Sequence, residues 1–300
     1  MPALKSIYFI VNPFSGGGKT KGIEEKIQTH LDHHQFKYQV QFTEGLGHAT
    51  ELAKAAVRSD HSIVIAVGGD GTVNEVAAGL INSDKTMGII PAGSGNGLAM
   101  HLGIGRDITK AIGVLNNGLA ITIDTCVLNE RPYINLAGIG FDALIAYQTA
   151  HSKTRGFLAY AWQSIRSALV YKAKKYQLKI DDKVFEKEAI IIEVANAPMF
   201  GYNFTVAPLA KLDDGLLEIV VIQKAWKWRY ILMLPRFLNG TVHKSNLVER
   251  YTAKNVVIKL KEPAPVHVDG EGYLLESDLH FSINPLSLKV MASADWMHEA

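Results

Sequence analysis

A glycine-rich run containing one aspartate, Gly68–Glu75, is the segment of this sequence best suited to chemistry. It follows Ser62–Val67, an apolar run rich in β-branched residues that predicts a buried strand. Val73, Val76 and Leu80 then recur at helical spacing, so the glycines are expected to join a strand to a helix. Backbone amides and the helix dipole favour a phosphate at such a junction, and glycine allows its close approach.

Asp70 places a carboxylate inside this run. An acidic residue among phosphate-binding amides makes chemical sense if it meets a metal ion or a transferring proton. Taken alone, the run is equally consistent with an ordinary strand-to-helix turn that uses glycine for tightness. Its function therefore has to be judged together with the other loops of the chain.

Alternating strands and helices are predicted over the first third of the chain. The strands are Ser6–Val11, Tyr38–Thr43, Ser62–Val67 and Met87–Ile90, with helices over Ile23–Leu31, Ala49–Val57 and Val73–Ile81. This alternation predicts a parallel sheet with helices on its faces. Ligands bind outside the carboxyl ends of such strands. Four loops are expected there: Asn12–Gly18, Thr43–His48, Gly68–Thr72 and Pro91–Gly97.

The second half of the chain has a different pattern. One helix is predicted around Phe157–Leu169, and many short alternating segments with turn signals indicate strands. These are Gln177–Ile180, Ala189–Ala195, Leu216–Ile222, Asn255–Leu260, Val266–Val268, Tyr273–Leu275 and His280–Ile283. We therefore predict an α/β domain over residues 1–125 and a β-rich, sandwich-like domain over residues 126–295. A return of the C-terminal tail to the first domain is left open.

Composition narrows the function classes. The 31 Lys and Arg residues against 29 Asp and Glu residues give a net charge of +2, which does not favour nucleic acid as a partner. The single cysteine, Cys126, excludes an internal disulfide and fits a reducing cytoplasm. No stretch is long and apolar enough for a transmembrane segment. We expect a cytoplasmic protein, with peripheral association at the inner membrane face and a homodimer both left open.

Several motifs together resemble the catalytic domain of the diacylglycerol kinase and sphingosine kinase superfamily, especially its bacterial members. In the first half they are Asn12-Pro13-Phe14-Ser15-Gly16, Thr43 with Gly47-His48-Ala49, Gly68–Glu75 and Pro91–Asn96. In the second half they are Asn135–Asp142, Lys211–Leu216 and Val268–Glu271. The resemblance implies an ATP-binding α/β domain followed by a β-sandwich domain. It also implies an ATP- and Mg²⁺-dependent lipid kinase acting on a hydroxyl of diacylglycerol or a related lipid.

The resemblance assigns roles to individual residues. The implied nucleotide contacts are Asn12, Pro13, Phe14, Ser15, Gly16, Thr43, Gly68, Gly69, Asp70, Gly71, Thr72, Val73, Asn74, Glu75, Ser94 and Asn96. Asp70 would orient Mg²⁺ or its waters. Glu271 is implied as the general base for the lipid hydroxyl, with Asp269 as a competitor for the base or for a metal contact.

A second, structural Mg²⁺ site is implied at Lys211, Asp214 and Leu216, where two backbone carbonyls and one carboxylate would bind. Asp124 matches an acidic position of the family at the domain junction. Simple turns remain alternatives for both acidic segments. Asp-Asp-Gly favours a tight turn without metal, and Asp269–Gly272 favours a β-hairpin turn.

The acceptor is less well defined than the reaction. Gly97 follows Asn96 where many bacterial diacylglycerol kinases have Asp, and this form is more similar to that of sphingosine kinases. A long-chain base therefore stays open beside diacylglycerol. NAD kinase and phosphofructokinase share the Gly-Gly-Asp-Gly-Thr loop, so a soluble acceptor is an alternative, as is a catalytically idle regulator. The Asn12–Gly16 and Asn74-Glu75 segments favour the lipid branch.

One further segment, Lys224–Tyr230, mixes tryptophan, tyrosine and basic residues and precedes an aliphatic run. That mixture suits a membrane interface. The alternative, which we favour at this stage, is a helix whose aromatic side chains pack in the core of the second domain.

Overall fold

The computed structural model describes residues 4–151, 167, 170–201 and 204–296. The chain forms two compact units, which are Met1–Ile123 with Leu286–Ala300 (unit 1) and Asp124–Pro285 (unit 2). The helix predicted around Phe157–Leu169 falls outside the described part of the chain, apart from position 167. No helix in the described ranges is long and apolar enough to span a bilayer.

Unit 1 begins with four strands that alternate with three helices, and two further helices follow the fourth strand. The strands are β1 (Lys5–Val11), β2 (Phe36–Phe42), β3 (Ile63–Gly68) and β4 (Thr86–Pro91). The helices are α1 (Ile23–His30), α2 (His48–Val57), α3 (Asp70–Leu80), α4 (Gly97–His101) and α5 (Ile108–Asn117). Strand β5 (Leu119–Leu128) then leads into unit 2.

The sheet of unit 1 is parallel, with the order β4-β3-β1-β2. Its register aligns the carboxyl ends of the strands, because Val11 pairs with both Phe42 and Val67, and Val67 pairs with Ile90. Every residue of β3 is buried, as expected for a parallel strand covered on both faces. The four loops that follow these strands therefore leave the sheet at one level.

The strands of unit 2 are mostly antiparallel. They are β6 (Arg131–Tyr133), β7 (Leu136–Gly140), β8 (Lys174–Ile180), β9 (Lys183–Ala195), β10 (Leu217–Gln223), β11 (Val248–Ala253), β12 (Asn255–Lys259), β13 (Ala264–Val268), β14 (Glu271–Leu275) and β15 (Leu279–Ala292). The described helices are α6 (Phe141–Ala150) and α7 (Lys227–Leu238). The end of β15 lies in unit 1, where Lys289 and Val290 pair in parallel with β4.

The sheet of unit 2 buries apolar residues on both faces. Along β10, Ile219 and Val221 belong to one core cluster, while Val220 and Ile222 belong to another. This alternation follows from the two-residue period of a strand. The α/β class, with an N-terminal parallel sheet and a β-sandwich-like second part, is thus confirmed.

Helix α7 corrects one prediction. Met233 and Phe237 are buried in the second cluster, but Trp226 and Trp228 are 78% and 59% exposed. The expectation that the aromatics of this segment pack in the core is wrong for both tryptophans. Trp226 precedes the helix and Trp228 projects from the side opposite Met233 and Phe237, because helical positions five and nine apart lie far round the axis. Of the three aromatic residues in this segment, only Tyr230 is partly buried, and its hydroxyl donates to Gln223 O.

Candidate active site

The loop after β1 is tied to the loop after β3. Asn12 donates its backbone N–H to Val67 O at 2.9 Å, and its side-chain Nδ2 donates to Thr72 Oγ1 at 3.0 Å. Asn12 Oδ1 accepts from Phe14 N, which turns the chain at the end of the strand. The first predicted motif is therefore held directly against the glycine-rich run. Within it, Pro13 and Ser15 are partly exposed and Phe14 is 78% exposed.

Asp70 joins the glycine-rich run to the loop after β4. Its Oδ2 accepts from Asn96 N at 2.7 Å and its Oδ1 accepts from Gly97 N at 2.8 Å. Burial raises the pKa of Asp70, and the two backbone hydrogen bonds oppose that rise. Asn96 can make this contact because it adopts a left-handed conformation with φ of 58°, which asparagine tolerates better than most residues. Asp70 thus fixes the start of α4.

Glycine is required at two close approaches between these loops. A Cβ on Gly16, whose φ is +59°, would collide with Ala92 O. A Cβ on Gly69 would lie 3.2 Å from Gly93 Cα, so these two loops meet backbone to backbone. Glycine-rich loops that pack backbone to backbone at the ends of parallel strands are suited to anionic groups, since amide donors can approach them directly.

We call the loops at the carboxyl edge of the unit 1 sheet the rim. Thr43 and Glu75 hold the loop after β2 in this rim in different ways. Thr43 is buried, and its N–H donates to Val11 O at 2.8 Å. The Glu75 carboxylate accepts from Gly47 N at 3.0 Å and from Ala49 N at 3.1 Å. Glu75 therefore satisfies backbone amides at the start of α2 and fixes the loop after β2. Its direct contact with a nucleotide stays a prediction.

The remaining predicted nucleotide residues lie around the same rim. Gly68 ends β3, Gly69 precedes α3, and Val73 donates the first helical hydrogen bond back to Gly69 O. The amides of Asp70, Gly71 and Thr72 hence precede the helical ladder. Asn74 lies on the first turns of α3, and Ser94 is exposed in the loop after β4. Unit 1 thus brings all of the predicted nucleotide contacts to one edge of its sheet.

The second acidic segment forms a two-residue β-hairpin turn. Val268 pairs with Glu271, and the two residues between them, Asp269 and Gly270, have φ values of 47° and 85°. Positive φ at both positions is the signature of the turn type that Asp-Gly favours. The turn that the sequence predicted is therefore present, and it carries both acidic candidates.

Asp269 is buried and holds this turn in place. Its Oδ1 accepts from Asn135 N and Leu136 N at 2.9 and 3.0 Å, and its Oδ2 accepts from Ile134 N at 3.0 Å. Asp269 N also donates to Leu136 O. A carboxylate with three backbone donors anchors the hairpin to the start of β7.

Glu271 is exposed at the start of β14. Its Oε2 accepts from Tyr273 Oη at 2.8 Å, and the Arg131 guanidinium lies 4.3 Å from the centre of the Tyr273 ring. Burial, with Glu271 as a second cause, raises the pKa of Tyr273 to about 12, so this phenol stays a donor. Next to Glu271, Gly272 has no room for a side chain because Tyr147 of α6 packs against it. The carboxylate is therefore accessible on a rigid support.

The segment Lys211–Leu216 forms a bend. Gly215 N donates to Asp124 Oδ2 at 2.7 Å, and Leu216 N donates to Asp214 Oδ1 at 3.0 Å. Asp124 is fully buried, so it fixes the bend from inside. Asp214 is exposed, and carbonyl and carboxylate oxygens are ligands that Mg²⁺ prefers. These residues fit a metal, although the bend also satisfies the simple-turn alternative.

Sequence reasoning missed a buried cluster of charged residues in unit 2. His267 Nε2 lies 3.0 Å from Asp142 Oδ2 and 3.0 Å from both carboxylate oxygens of Glu193. The residues come from β13, α6 and β9, so their spacing along the sequence could not predict that they meet. The one signal was Gly138, a glycine inside a strand, which often marks a close approach. His267 and Glu193 both pair in register with Gly138.

The protonation of this cluster follows from its geometry. Burial disfavours the imidazolium, but Glu193 and Asp142 outweigh burial and raise the pKa of His267 to about 10. Burial and the neighbouring Asp142 raise the pKa of Glu193. Burial opposes ionisation of Asp142 as well, yet hydrogen bonds with Glu193 and His267 lower its pKa. With His267 protonated, the three side chains form an ion-pair network. Each also offers one possible metal-ligand atom, and these atoms all lie within 4.8 Å of one another.

The geometry of the two units indicates a class of protein. Unit 1 presents glycine-rich loops packed backbone to backbone at the carboxyl edge of a parallel sheet, and unit 2 presents an exposed glutamate on an anchored hairpin. A nucleotide-using phosphotransferase fits both features.

Family models match both parts of the chain. Residues 6–128 match the diacylglycerol kinase catalytic domain, and residues 135–292 match the YegS C-terminal NAD kinase beta sandwich-like domain. The diacylglycerol kinase of Bacillus subtilis (strain 168) is 30% identical over 273 residues, or 89% of this chain and 90% of that protein. The diacylglycerol kinase of Staphylococcus saprophyticus is 31% identical over 274 residues, or 89% of each chain. The chain belongs to the diacylglycerol kinase superfamily of lipid kinases.

Solved structures agree on the fold. A diacylglycerol kinase structure from Bacillus anthracis strain Sterne has a TM-score of 0.73 at 21% identity and covers 98% of both chains. An NAD kinase from Archaeoglobus fulgidus, solved with ATP, reaches a TM-score of 0.51 at 12% identity, with 98% of this chain and 96% of that chain covered. The relatives of about 30% identity confirm the lipid kinase that the motifs predicted. The roles of individual site residues stay predictions.

Proposed function

We propose that this lipid kinase transfers the γ-phosphate of ATP to a hydroxyl of diacylglycerol or of a related lipid such as a long-chain base, with Mg²⁺. The observation that carries the proposal is the rim of unit 1, where the carboxylate of Asp70 ties two glycine-rich loops together through Asn96 and Gly97. Phosphoryl transfer depends on positioning and on charge stabilisation more than on covalent chemistry. A rim fixed by backbone hydrogen bonds provides that positioning.

In this proposal, unit 1 holds the nucleotide and unit 2 supplies the lipid side of the reaction. The amides of Asp70–Thr72 and the backbone of the Asn12–Gly16 loop receive phosphate oxygens. Asp70 would orient Mg²⁺ or its waters, and Mg²⁺ bound there would offset the phosphate charge. The fit rests on the chemistry of the donor set, since the Asp70 carboxylate carries lone pairs beyond the hydrogen bonds that it accepts from Asn96 N and Gly97 N.

Glu271 is proposed as the general base. As the lipid hydroxyl oxygen forms its bond to the γ-phosphorus, the bond from phosphorus to the bridging oxygen of ADP breaks and the hydroxyl proton passes to Glu271. Its exposure supports this role, since substrate can reach the carboxylate. Both carboxylate oxygens of Asp269 accept hydrogen bonds from backbone amides, three in all. Asp269 is therefore proposed to position the hairpin rather than to take the proton.

Lys211, Asp214 and Leu216 are proposed to hold a structural Mg²⁺ through two backbone carbonyls and the exposed carboxylate. Asp124 supports this bend through two hydrogen bonds. Its carboxylate accepts from Gly215 N, and its own N–H donates to Leu212 O. The metal would stiffen the bend and take no part in phosphate transfer.

The test uses purified protein with labelled ATP, Mg²⁺ and diacylglycerol in mixed micelles, with a long-chain base and NAD as parallel acceptors. Glu271→Gln should lower kcat by roughly 10²–10⁴-fold, the usual contribution of a general base. Glu276→Gln, an exposed glutamate just beyond the same strand, is the matched control and should keep full activity. Full activity of Glu271→Gln would remove it from the mechanism, and phosphorylation of NAD alone would overturn the lipid acceptor.

A further inference from the structure

Helix α7 carries apolar residues on two opposite faces. Met233 and Phe237 face inward and join the core cluster formed with β7, β9 and β10. On the other side, Trp228, Ile231 and Leu232 are 59%, 66% and 66% exposed. A helix that served only to cover this core would carry polar residues outside.

The exposed residues form one continuous stripe. Positions 228, 231, 232, 235 and 238 follow helical spacing and fall on the face opposite Met233 and Phe237. Leu238 is 64% exposed, and Trp226, directly before the helix, is 78% exposed. We call Trp226, Trp228, Ile231, Leu232 and Leu238 the α7 outer face. Isolated apolar residues are common on protein surfaces, but a contiguous stripe indicates a binding surface.

The charged side chains of the segment that carries the α7 outer face are all basic. From Lys224 to Val248 the chain contains five Lys and Arg residues and no Asp or Glu. Lys227 and Arg236 are exposed, and Arg229 donates to Asn246 Oδ1 without meeting a carboxylate there. Lys224, before the helix, pairs with Glu188 of β9 at 2.9 Å. The stripe is thus bordered by cations on the helix that carries it.

We propose that the α7 outer face docks this kinase onto an anionic lipid bilayer, with the helix lying in the plane of the membrane surface. Tryptophan prefers the depth of the headgroups, aliphatic side chains enter the acyl boundary, and basic residues meet anionic headgroups. At 12 residues, about 18 Å long, the helix is suited to lying on a membrane and not to crossing it.

The proposal rests on the proposed function in one respect: a lipid acceptor is embedded in a bilayer, so the enzyme has to reach that surface. The two can fail separately. Membrane docking is measured as binding to vesicles without ATP, whereas phosphate transfer is measured on lipid presented in detergent micelles, where no bilayer is needed.

The binding test compares vesicles of phosphatidylglycerol and phosphatidylcholine in equal parts with vesicles of phosphatidylcholine alone. Wild-type protein should co-sediment with the anionic vesicles, and Trp228→Glu with Leu232→Glu should weaken that binding roughly tenfold or more. Val184→Glu with Leu209→Glu adds the same two charges at apolar positions that are 60% and 47% exposed, outside the α7 outer face, and is the control. Micelle activity of the Trp228→Glu, Leu232→Glu variant should stay at the wild-type level.

A second measurement leaves the docking face intact. Brominated acyl chains should quench the fluorescence of wild-type protein on anionic vesicles, and most of this quenching should disappear in a Trp226→Phe, Trp228→Phe variant. Unchanged binding by the glutamate variant, or equal quenching in the phenylalanine variant, would overturn the proposal. A wild-type dimer that becomes monomeric with Trp228→Glu and Leu232→Glu would instead assign the face to a second copy of the chain.

Discussion

His267 Nε2 lies 3.0 Å from both carboxylate oxygens of Glu193, although the two residues belong to strands separated by β7. They meet because the residue between them in register is Gly138. A Cβ at Gly138 would come within 2.7 Å of Glu193 Oε2 and 2.6 Å of Ile192 O. The absence of one side chain therefore lets two others pair across a strand inside the sheet.

Replacing this glycine should break the pairing. Gly138→Ala is expected to lower the free energy of unfolding by about 1–3 kcal/mol, because its methyl group overlaps a backbone carbonyl that cannot move easily. Gly113→Ala in α5 is the control: nothing lies within 4 Å of its Cβ, and alanine in a helix should stabilise by about 0.5–1 kcal/mol. Urea denaturation of both variants provides the measurement, and equal effects would contradict the assigned clash.

The raised pKa of His267 predicts a pH dependence of stability. The protonated form is favoured in the folded state, so its contribution to stability is complete below the ordinary histidine pKa of 6.5 and is lost as pH rises through the raised pKa of about 10. The free energy of unfolding of wild type should therefore fall relative to His267→Gln over this range. The largest slope for one proton is about 1.4 kcal/mol per pH unit. Parallel curves for the two proteins would show that His267 is not charged.

Asp269→Asn tests the anchor of the hairpin. Asparagine keeps one oxygen for Asn135 N and Leu136 N but presents an amide donor to Ile134 N. The loss of one acceptor should cost about 1–3 kcal/mol of unfolding free energy. Asp181→Asn is a matched control, because Asp181 shares the φ of 47° yet uses only Oδ1 to accept from Lys254 N and Asn255 N. That variant should melt close to wild type, and a similar loss in both would point to the backbone turn instead.

Alanine substitutions at Gly16 and Gly17 distinguish the effect of loop packing from the effect of backbone conformation in unit 1. Both have positive φ, at 59° and 66°, so alanine strains both. Only at Gly16 would the new Cβ meet Ala92 O, whereas nothing lies within 4 Å at Gly17. Gly16→Ala should raise the KM for ATP by about tenfold or more, since small displacements of a binding loop are costly. Gly17→Ala should change it much less, and comparable values would remove the contact with Ala92 from the site.

The sequence by itself determined the local parts. The β-branched run before Gly68 and the apolar spacing after it were enough to predict β3 and α3, because burial of a periodic face dominates local structure. Asp-Gly at 269–270 predicted the hairpin turn through its tolerance of positive φ. The order of glycine-rich loops after successive strands also placed the candidate nucleotide residues on one edge of a parallel sheet.

Only the tertiary structure decided which side chains meet. Asp70 was predicted as a metal-orienting residue, but its hydrogen bonds to Asn96 N and Gly97 N depend on the adjacency of β3 and β4. The His267, Glu193 and Asp142 network depends on three elements that are distant in sequence. The outward position of Trp228 depends on which face of α7 the core accepts. Periodicity reports that a face is apolar, but the strand order and the packing of α7 decide what that face contacts, because they act over long separations along the chain.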